Sequence, residues 1–212
     1  MLIDFKYLFN KYKLHFNGVL HVGANVGEEY PHYISCGIHK QIWIEANVDL
    51  IPQLKANVLH GPDKHVFNVC AGEINQKAVL HVANNAGQSS SVLELGTHLQ
   101  AHPEVHYTHD QDVLMCRLDE MFDQMPTVIE GVDLLNLDVQ GAEGMVLRGL
   151  GKYIDQFKAV YTECNVREVY KGCMQLDSMD LFMTAHGFRR VETFNAGGFL
   201  DRLGWSDCVY LK

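Results

Sequence analysis

Two apolar runs end in oxygen-bearing side chains. In "LLNLDVQGAE", Asp138 closes a run of strand length, and Gly141 lets the backbone turn sharply into a helix that Glu143 begins. In "VYTECN", Glu163 and Asn165 close another. Neighbouring strand tips face one cleft, so Asp138, Glu163 and Asn165 form an oxygen-rich set suited to general-base work or to Mg²⁺. A turn-stabilising role also fits Asp138, and a helix cap fits Glu143. The stretch "THLQAHPEVHYTHD" adds His98, His102, His106 and His109. Their spacing would suit zinc on an unbroken helix, but Pro103 interrupts it, so a solvated lid is the preferred reading. Within that lid His109 stands as a candidate base beside Asp138 and Glu163.

A second cluster lies near the amino terminus. "VLHVGANVGEEY" puts Gly23, Asn25 and Gly27 at alternate positions behind an apolar run. Glycine supplies positive φ or close ligand approach, and Asn is its commonest substitute, so the stretch reads as strand, tight turn, helix start. A plain glycine-tightened turn would look the same. Glu45, however, ends "QIWIE" about 20 residues past Gly23, where a carboxylate at the neighbouring strand tip accepts both hydroxyls of a ribose. That pattern points to an adenosine-containing cofactor. The dinucleotide fingerprint G-x-G-x-x-G is broken by Asn25 and lacks its third glycine, and Glu28 and Glu29 would repel a pyrophosphate at the helix start. NAD is therefore disfavoured. S-adenosylmethionine has no phosphate and carries a cationic sulfonium, which tolerates nearby carboxylates. "QSSSV" offers the hydroxyls of Ser89, Ser90 and Ser91 to a cofactor or acceptor, although loop solubility explains them too. Trp43 and Trp205 read as packing residues, and no chemistry attaches to Asp207.

These residues need elements to place them. The runs "GVLHV", "QIWIE", "HVFNV", "VDLLNLD" and "FKAVYTE" are separated at first by helical patterns such as "VDLIPQLKANV". That rhythm predicts a mostly parallel sheet with helices on both faces. At the end, "GFRRVETFN" and "WSDCVYLK" are joined by the Gly-rich "AGGFLDRLG", which predicts an antiparallel hairpin at one edge. Residues 79–127 break the rhythm and read as an insertion or lid over the carboxyl ends of the strands. Residues 1–16 read as an amphipathic helix rather than a signal peptide, since Asp4 and Lys6 interrupt the apolar stretch. One domain over 1–212 is expected.

With a net charge of −9 and no run of Lys or Arg, a nucleic-acid partner is disfavoured. No apolar segment is long enough to span a bilayer. The six cysteines are scattered without a CxxC pair, which suits reduced thiols and a cytoplasmic location. No feature specifies an oligomeric state.

Taken in order, "HVGANVGEE", "WIEAN", "SSSVLEL", "LLNLDVQGAEGMVLRG", "YTECN" and "GWSDCVYLK" resemble the FkbM-type S-adenosylmethionine-dependent methyltransferases, and the resemblance spans Val19 to Lys212. It implies an α/β, Rossmann-like class I methyltransferase fold, with a seven-stranded mostly parallel sheet and an antiparallel hairpin at the carboxyl-terminal edge. It further implies S-adenosylmethionine as cofactor, S-adenosylhomocysteine as product, and O-methylation of a hydroxyl on a sugar, glycan or other small acceptor. An N- or C-methyltransferase and a non-catalytic adenosyl-binding domain are the alternatives. Carried over residue by residue, Gly23, Ala24, Asn25 and Gly27 line the methionine side. Glu45 binds the ribose with Ala46 beside it, Cys70, Ala71 and Gly72 close the third strand beside the adenine, and Ser90 and Asp138 complete the set.

One position departs from the family pattern. His21 stands where members begin the glycine turn with Asp, and a neutral imidazole accepts only one hydrogen bond, so the cofactor's amino group is assigned to His21 or to Asp138. Catechol-type O-methyltransferases use a metal held in part by an Asp-Asn pair on the fifth strand. Here Cys164 splits Glu163 from Asn165, and a metal-independent route with Asp138 or a histidine as base is preferred, with no metal ligand assigned.

Overall fold

The computed structural model describes residues 4–194 and 204–212. The chain begins with α1 (Phe5–Tyr12), β1 (Gly18–Val22), α2 (Tyr30–Ser35), β2 (Lys40–Glu45), α3 (Ile51–Val58) and β3 (Lys64–Asn68). It continues through β4 (Cys70–Ala71), β5 (Gln76–Ala83), α4 (His98–Ala101), β6 (Tyr107–Cys116), α5 (Leu118–Gln124) and α6 (Pro126–Ile129). The last part holds β7 (Leu134–Leu137), α7 (Glu143–Gly149), β8 (Ala159–Asn165), α8 (Leu176–Ala185), β9 (Arg189–Phe194) and β10 (Trp205–Leu211).

The main sheet has seven strands in the order β3-β2-β1-β7-β8-β10-β9. From β3 to β8 every pairing is parallel, and β10 runs antiparallel to both β8 and β9. The expected architecture and its antiparallel carboxyl-terminal edge are therefore present; of the Gly-rich connection, 196–203 lie outside the described residues. Parallel strands need crossover helices on both faces, which is why β1 and β8 are buried along their whole length. Leu20 and Val22 of β1 pack with Phe122, Val146 and Met179 on one face. Val19 packs on the other with Tyr33, Trp43 and Leu54, a layer that α1 closes with Phe5 and Leu8. Asp4 caps α1 by accepting from the Lys6 N–H at 2.8 Å, and the helix covers 5–12 of the expected 1–16, of which 1–3 lie outside the described residues.

After Asn68 the chain leaves this sheet. Cys70 and Ala71 pair with Met115 and Cys116, and β5 pairs antiparallel with β6, which makes a second, three-stranded sheet in the order β4-β6-β5. Cys70 and Ala71 thus do not close the third strand of the main sheet, as the sequence reading had it. Residues 79–127 likewise divide: β5, β6, α5 and α6 are framework, with Leu118, Phe122 and Ile129 in the core, and the irregular part is 84–106 with the short α4 inside it. Among the described residues no helix is long and apolar enough to cross a membrane.

Candidate active site

The strand order reverses between β1 and β7, and a cavity of about 640 Å³ opens beyond the strand tips there. Its floor is backbone. The N–H groups of Gly23 and Ala24 both donate to the Ile44 carbonyl, at 2.9 and 3.0 Å, and Asp138 N–H donates to the Val22 carbonyl at 3.0 Å. Gly23 has φ +83°, and a Cβ there would overlap the Asp138 carbonyl. The β1 and β7 tips approach this closely only because position 23 has no side chain.

Glu45, 9% exposed, joins two loops at this floor. Its carboxylate accepts from the Asn25 N–H and from the Asn47 N–H, each at 2.7 Å, while one edge lines the cavity. Asn25 reaches this donor position in the left-handed region, at φ +45°. Burial pushes the Glu45 carboxyl up to about 7, against the pull of the backbone donors, and the Asp138 charge adds to the rise.

Further along the sheet, Asp138 and Glu163 both line the cavity. Asp138 accepts from the Gln140 amide at 2.6 Å, and burial pushes it up to about 6. Burial, then the charges of Asp138, Glu143 and Asp207, hold Glu163 well above the usual carboxylate range. Asn165 is fully buried, its side-chain amide makes no hydrogen bond among the described residues, and it is not part of the lining. Glu143 does not line the cavity either. Its carboxylate accepts from the N–H groups of Val139 and Gly141 at 3.1 and 3.2 Å, so it caps the turn that starts α7.

Residues 84–106 and the segment after β8 form the facing wall. Ser89, Ser90 and Ser91 all line the cavity. The Ser90 hydroxyl accepts from Ala83 N–H at 3.0 Å, and Ser91 donates to the Gln140 carbonyl at 2.7 Å. His98, only 6% exposed, stacks obliquely between His102 and Tyr170, with ring centroids 5.3 and 5.6 Å away. Its Nε2 lies 3.4 Å from the Ser89 hydroxyl, and its Nδ1 has no partner among the described residues. Burial, and then the neighbouring His102, push its pKa down, so it is neutral at pH 7.

Of the cofactor residues expected from the sequence, Gly23, Ala24, Asn25, Glu45, Ala46, Cys70, Ala71, Ser90 and Asp138 line the cavity; three other cofactor expectations and one candidate base are corrected. His21 does not reach it. It lies on the Val19 face of β1, with its ring 5.0 Å from Trp43 and its Nδ1 3.2 Å from the Tyr33 hydroxyl, and burial pushes its pKa down to about 3. Gly27 serves packing: with φ +77°, a Cβ there would come within 2.5 Å of Val58 on α3. Gly72 packs on Met115. His109, the candidate base, lies outside the cavity on β6 with its Nδ1 3.0 Å from the Thr108 hydroxyl.

Sequence reasoning also missed residues. Trp205 lines the cavity instead of only packing, and Tyr170 and Asp207 join it. Asp207 sits opposite Glu163 in the β8–β10 register and accepts from the Tyr161 hydroxyl at 2.6 Å. Only the antiparallel register brings those two acids together. The described lining holds Glu28, Glu29, Glu45, Glu104, Asp138, Glu163 and Asp207 and no Lys or Arg. Among the described residues no three His, Cys, Asp or Glu side chains are arranged to hold a metal ion.

The chain is similar to known proteins in sequence and in fold. A family model described as the methyltransferase FkbM domain matches residues 21–190. The 2-O-methyltransferase NoeI of Sinorhizobium fredii (strain NBRC 101917 / NGR234) is 24% identical over 165 residues, covering 74% of this chain and 67% of that protein. Magnesium protoporphyrin IX methyltransferase (ChlM) of Synechocystis PCC 6803, solved with bound S-adenosylmethionine, is 9% identical with a TM-score of 0.51 over 98% of this chain and 75% of that one. A candidate tRNA methyltransferase of Streptococcus pneumoniae, in complex with S-adenosyl-L-methionine, is 14% identical with a TM-score of 0.51, over 100% of this chain and 73% of that one. At such identities the structural likeness establishes the fold, which is that of the class I methyltransferases.

Proposed function

Because the chain belongs to the FkbM methyltransferase family, we propose that it transfers a methyl group from S-adenosylmethionine to a hydroxyl oxygen of a sugar or another small acceptor. One observation carries the reading: a side-chain-free turn at Gly23 and a buried carboxylate at Glu45 border a single cavity. That pairing fits an adenosyl group. The bare turn admits close approach, and Glu45 keeps lone pairs for a sugar diol beyond the two N–H groups it already accepts. The described acidic lining, without Lys or Arg, suits a cationic cofactor and an acceptor lacking phosphate, so nucleic acid has no place in this reading.

When bound, the cofactor supplies an electrophilic methyl on a sulfonium. The protein aligns the acceptor and moves its proton. In this reading Cys70 and Ala71 face the adenine, Glu45 accepts the ribose hydroxyls and Asp138 receives the amino group. Burial pushes the Cys70 thiol up to about 12, so it is an inert wall. His98, neutral and with an Nδ1 that has no partner among the described residues, takes the acceptor's proton in place of His109. Glu163, whose burial favours its neutral form, donates a hydrogen bond to the acceptor in this reading. In this reading the route needs no divalent cation. The name of NoeI supports oxygen as the acceptor atom.

Isothermal titration with S-adenosylhomocysteine tests the cofactor half. The wild type binds, and Glu45→Ala weakens binding by ~1.5–3 kcal/mol, the usual worth of hydrogen bonds to a charged group. Unchanged affinity in that variant would remove the ribose from Glu45, and a wild type that binds neither form of the cofactor would end the proposal.

A further inference from the structure

Gln140 occupies a conformation that a residue with a side chain rarely adopts, φ +53°, in the turn between Asp138 and Gly141. Three hydrogen bonds hold it there. Its Nε2 donates to Asp138 Oδ1 at 2.6 Å, its Oε1 accepts from the Tyr170 hydroxyl at 2.6 Å, and its carbonyl accepts from Ser91 at 2.7 Å. Tyr170 is itself fixed. It is fully buried, it packs so tightly on Gly141 that a Cβ there would come within 2.7 Å of its own Cβ, and its ring lies beside His98. Asp138, from the floor, and Ser91 and Tyr170, from the wall, therefore meet on one side chain.

We propose that Gln140, anchored by Tyr170, is a positioning residue: it orients the Asp138 carboxylate toward the cofactor and couples the floor of the cavity to its facing wall. The proposal rests on the cofactor reading above. A primary amide has a donor end and an acceptor end, and an ionised carboxylate pairs only with the donor end. The Tyr170 hydroxyl could meet either end, so the charge on Asp138 sets the amide's direction and Tyr170 locks it by donating to Oε1. With Oδ1 occupied in this way, Oδ2 is the oxygen left for a ligand's ammonium group. Protonation at Oδ2 leaves Oδ1 as an acceptor for Nε2, so the amide keeps its direction while the free oxygen stops accepting from an ammonium group.

Among the described residues, the charged groups that face Asp138 are all acids: Glu29 ahead of α2, Glu45 on β2, Glu143 on α7, Glu163 on β8 and Asp207 on β10.

Calorimetric titration of the full chain with S-adenosylhomocysteine, from pH 5.5 to 8.5, tests this without knowledge of the acceptor. Tyr170→Phe removes one hydroxyl, and Gln140→Leu removes both ends of the amide. Each is expected to weaken binding roughly tenfold at pH 7.5, the loss expected of one charge-assisted hydrogen bond. The double variant should be no weaker than Gln140→Leu alone, since both substitutions break one path. Gln140→Glu sets a second carboxylate against Asp138, so its affinity falls as pH rises while that of the wild type does not. If Gln140→Leu fails to fold, Tyr170→Phe and Gln140→Glu carry the same test. Wild-type affinity in Tyr170→Phe and Gln140→Leu, additive losses in the double variant, or a wild-type pH profile in Gln140→Glu would each overturn the positioning role. A wild type that does not bind at all sinks the cofactor reading first.

Discussion

At the floor of the cavity, Gly23, Ala24 and Asp138 are placed by backbone hydrogen bonds between neighbouring parallel strands; on the facing wall, Ser91 and His98 are placed by bonds that reach to other loops. Gly23 and Ala24 share one carbonyl on the adjacent strand, whereas His98 N–H donates to Val169 at 3.3 Å, across 71 residues of chain (169 − 98). The floor repeats what a parallel sheet does at every strand tip. The wall is particular to this chain. We expect the cofactor to be read by the first and the acceptor by the second, so substitutions on the two sides should fail in different ways.

The largest separation is expected from His98→Ala. Loss of a positioned general base costs ~10²- to 10⁴-fold in turnover, and because His98 is placed on the acceptor side, affinity for S-adenosylhomocysteine should stay within about threefold. Glu45→Ala should show the converse, with the loss concentrated in cofactor affinity. Initial rates of labelled methyl transfer, set beside calorimetry on the same two variants, read both quantities. Parallel losses in rate and affinity for His98→Ala would erase the distinction between floor and wall.

The same contrast explains which parts of the site were legible in the sequence. Gly23 and Glu45 announce themselves because both sit at strand tips and the interval between them is set by one helix and one strand. Asp138 and Glu163 are legible for the same reason, each ending an apolar run. His21 misled because β1 is apolar on both faces, so alternation does not say which face turns toward the cavity; its partners Tyr33 and Trp43 come from other elements. His109 misled because β6 begins at Tyr107, which converts the tail of a histidine-rich loop into a strand of the second sheet. Tyr170, Trp205 and Asp207 carry no local mark at all. They reach the cavity through the β8–β10 register and through loop contacts such as the Leu95–Tyr170 bridge, which are tertiary events.

A smaller effect, of about tenfold per pH unit at most, should separate the two regions by titration. Burial raises Glu45 from 4.5 to about 7, so in the free protein this group stabilises the fold fully below pH 4.5, and that contribution is lost as pH rises through 7. Ribose hydroxyls donate to the ionised form. Binding therefore releases a proton where Glu45 is protonated, and affinity for S-adenosylhomocysteine should rise with pH and level off above 7. Asp138, raised to about 6, adds a rise of the same sign at lower pH. Thermal unfolding with and without ligand should thus diverge as pH increases. Glu45→Gln should flatten the part of the rise nearest pH 7, while His98→Ala should leave the affinity profile intact. A profile that falls with pH would mean that the ligand meets a protonated carboxyl.

The smallest effect is expected from His109→Ala, and it sharpens the assignment of the base. His98 and His109 lie in the same histidine-rich stretch, yet one is buried against the cavity and the other is exposed on β6, where its ring nitrogen meets the hydroxyl of the residue before it. An exposed side chain with one local hydrogen bond is worth within about 0.5 kcal/mol to stability, so the midpoint of unfolding should barely move. Turnover and cofactor affinity should both stay within about twofold, since a base must come within hydrogen-bond reach of the proton it removes and His109 borders no part of the cavity. A large drop in turnover with unchanged folding would require β6 to turn this face inward during catalysis. The acceptor site would then extend to the second sheet, and the wall that carries His98 would no longer be its boundary.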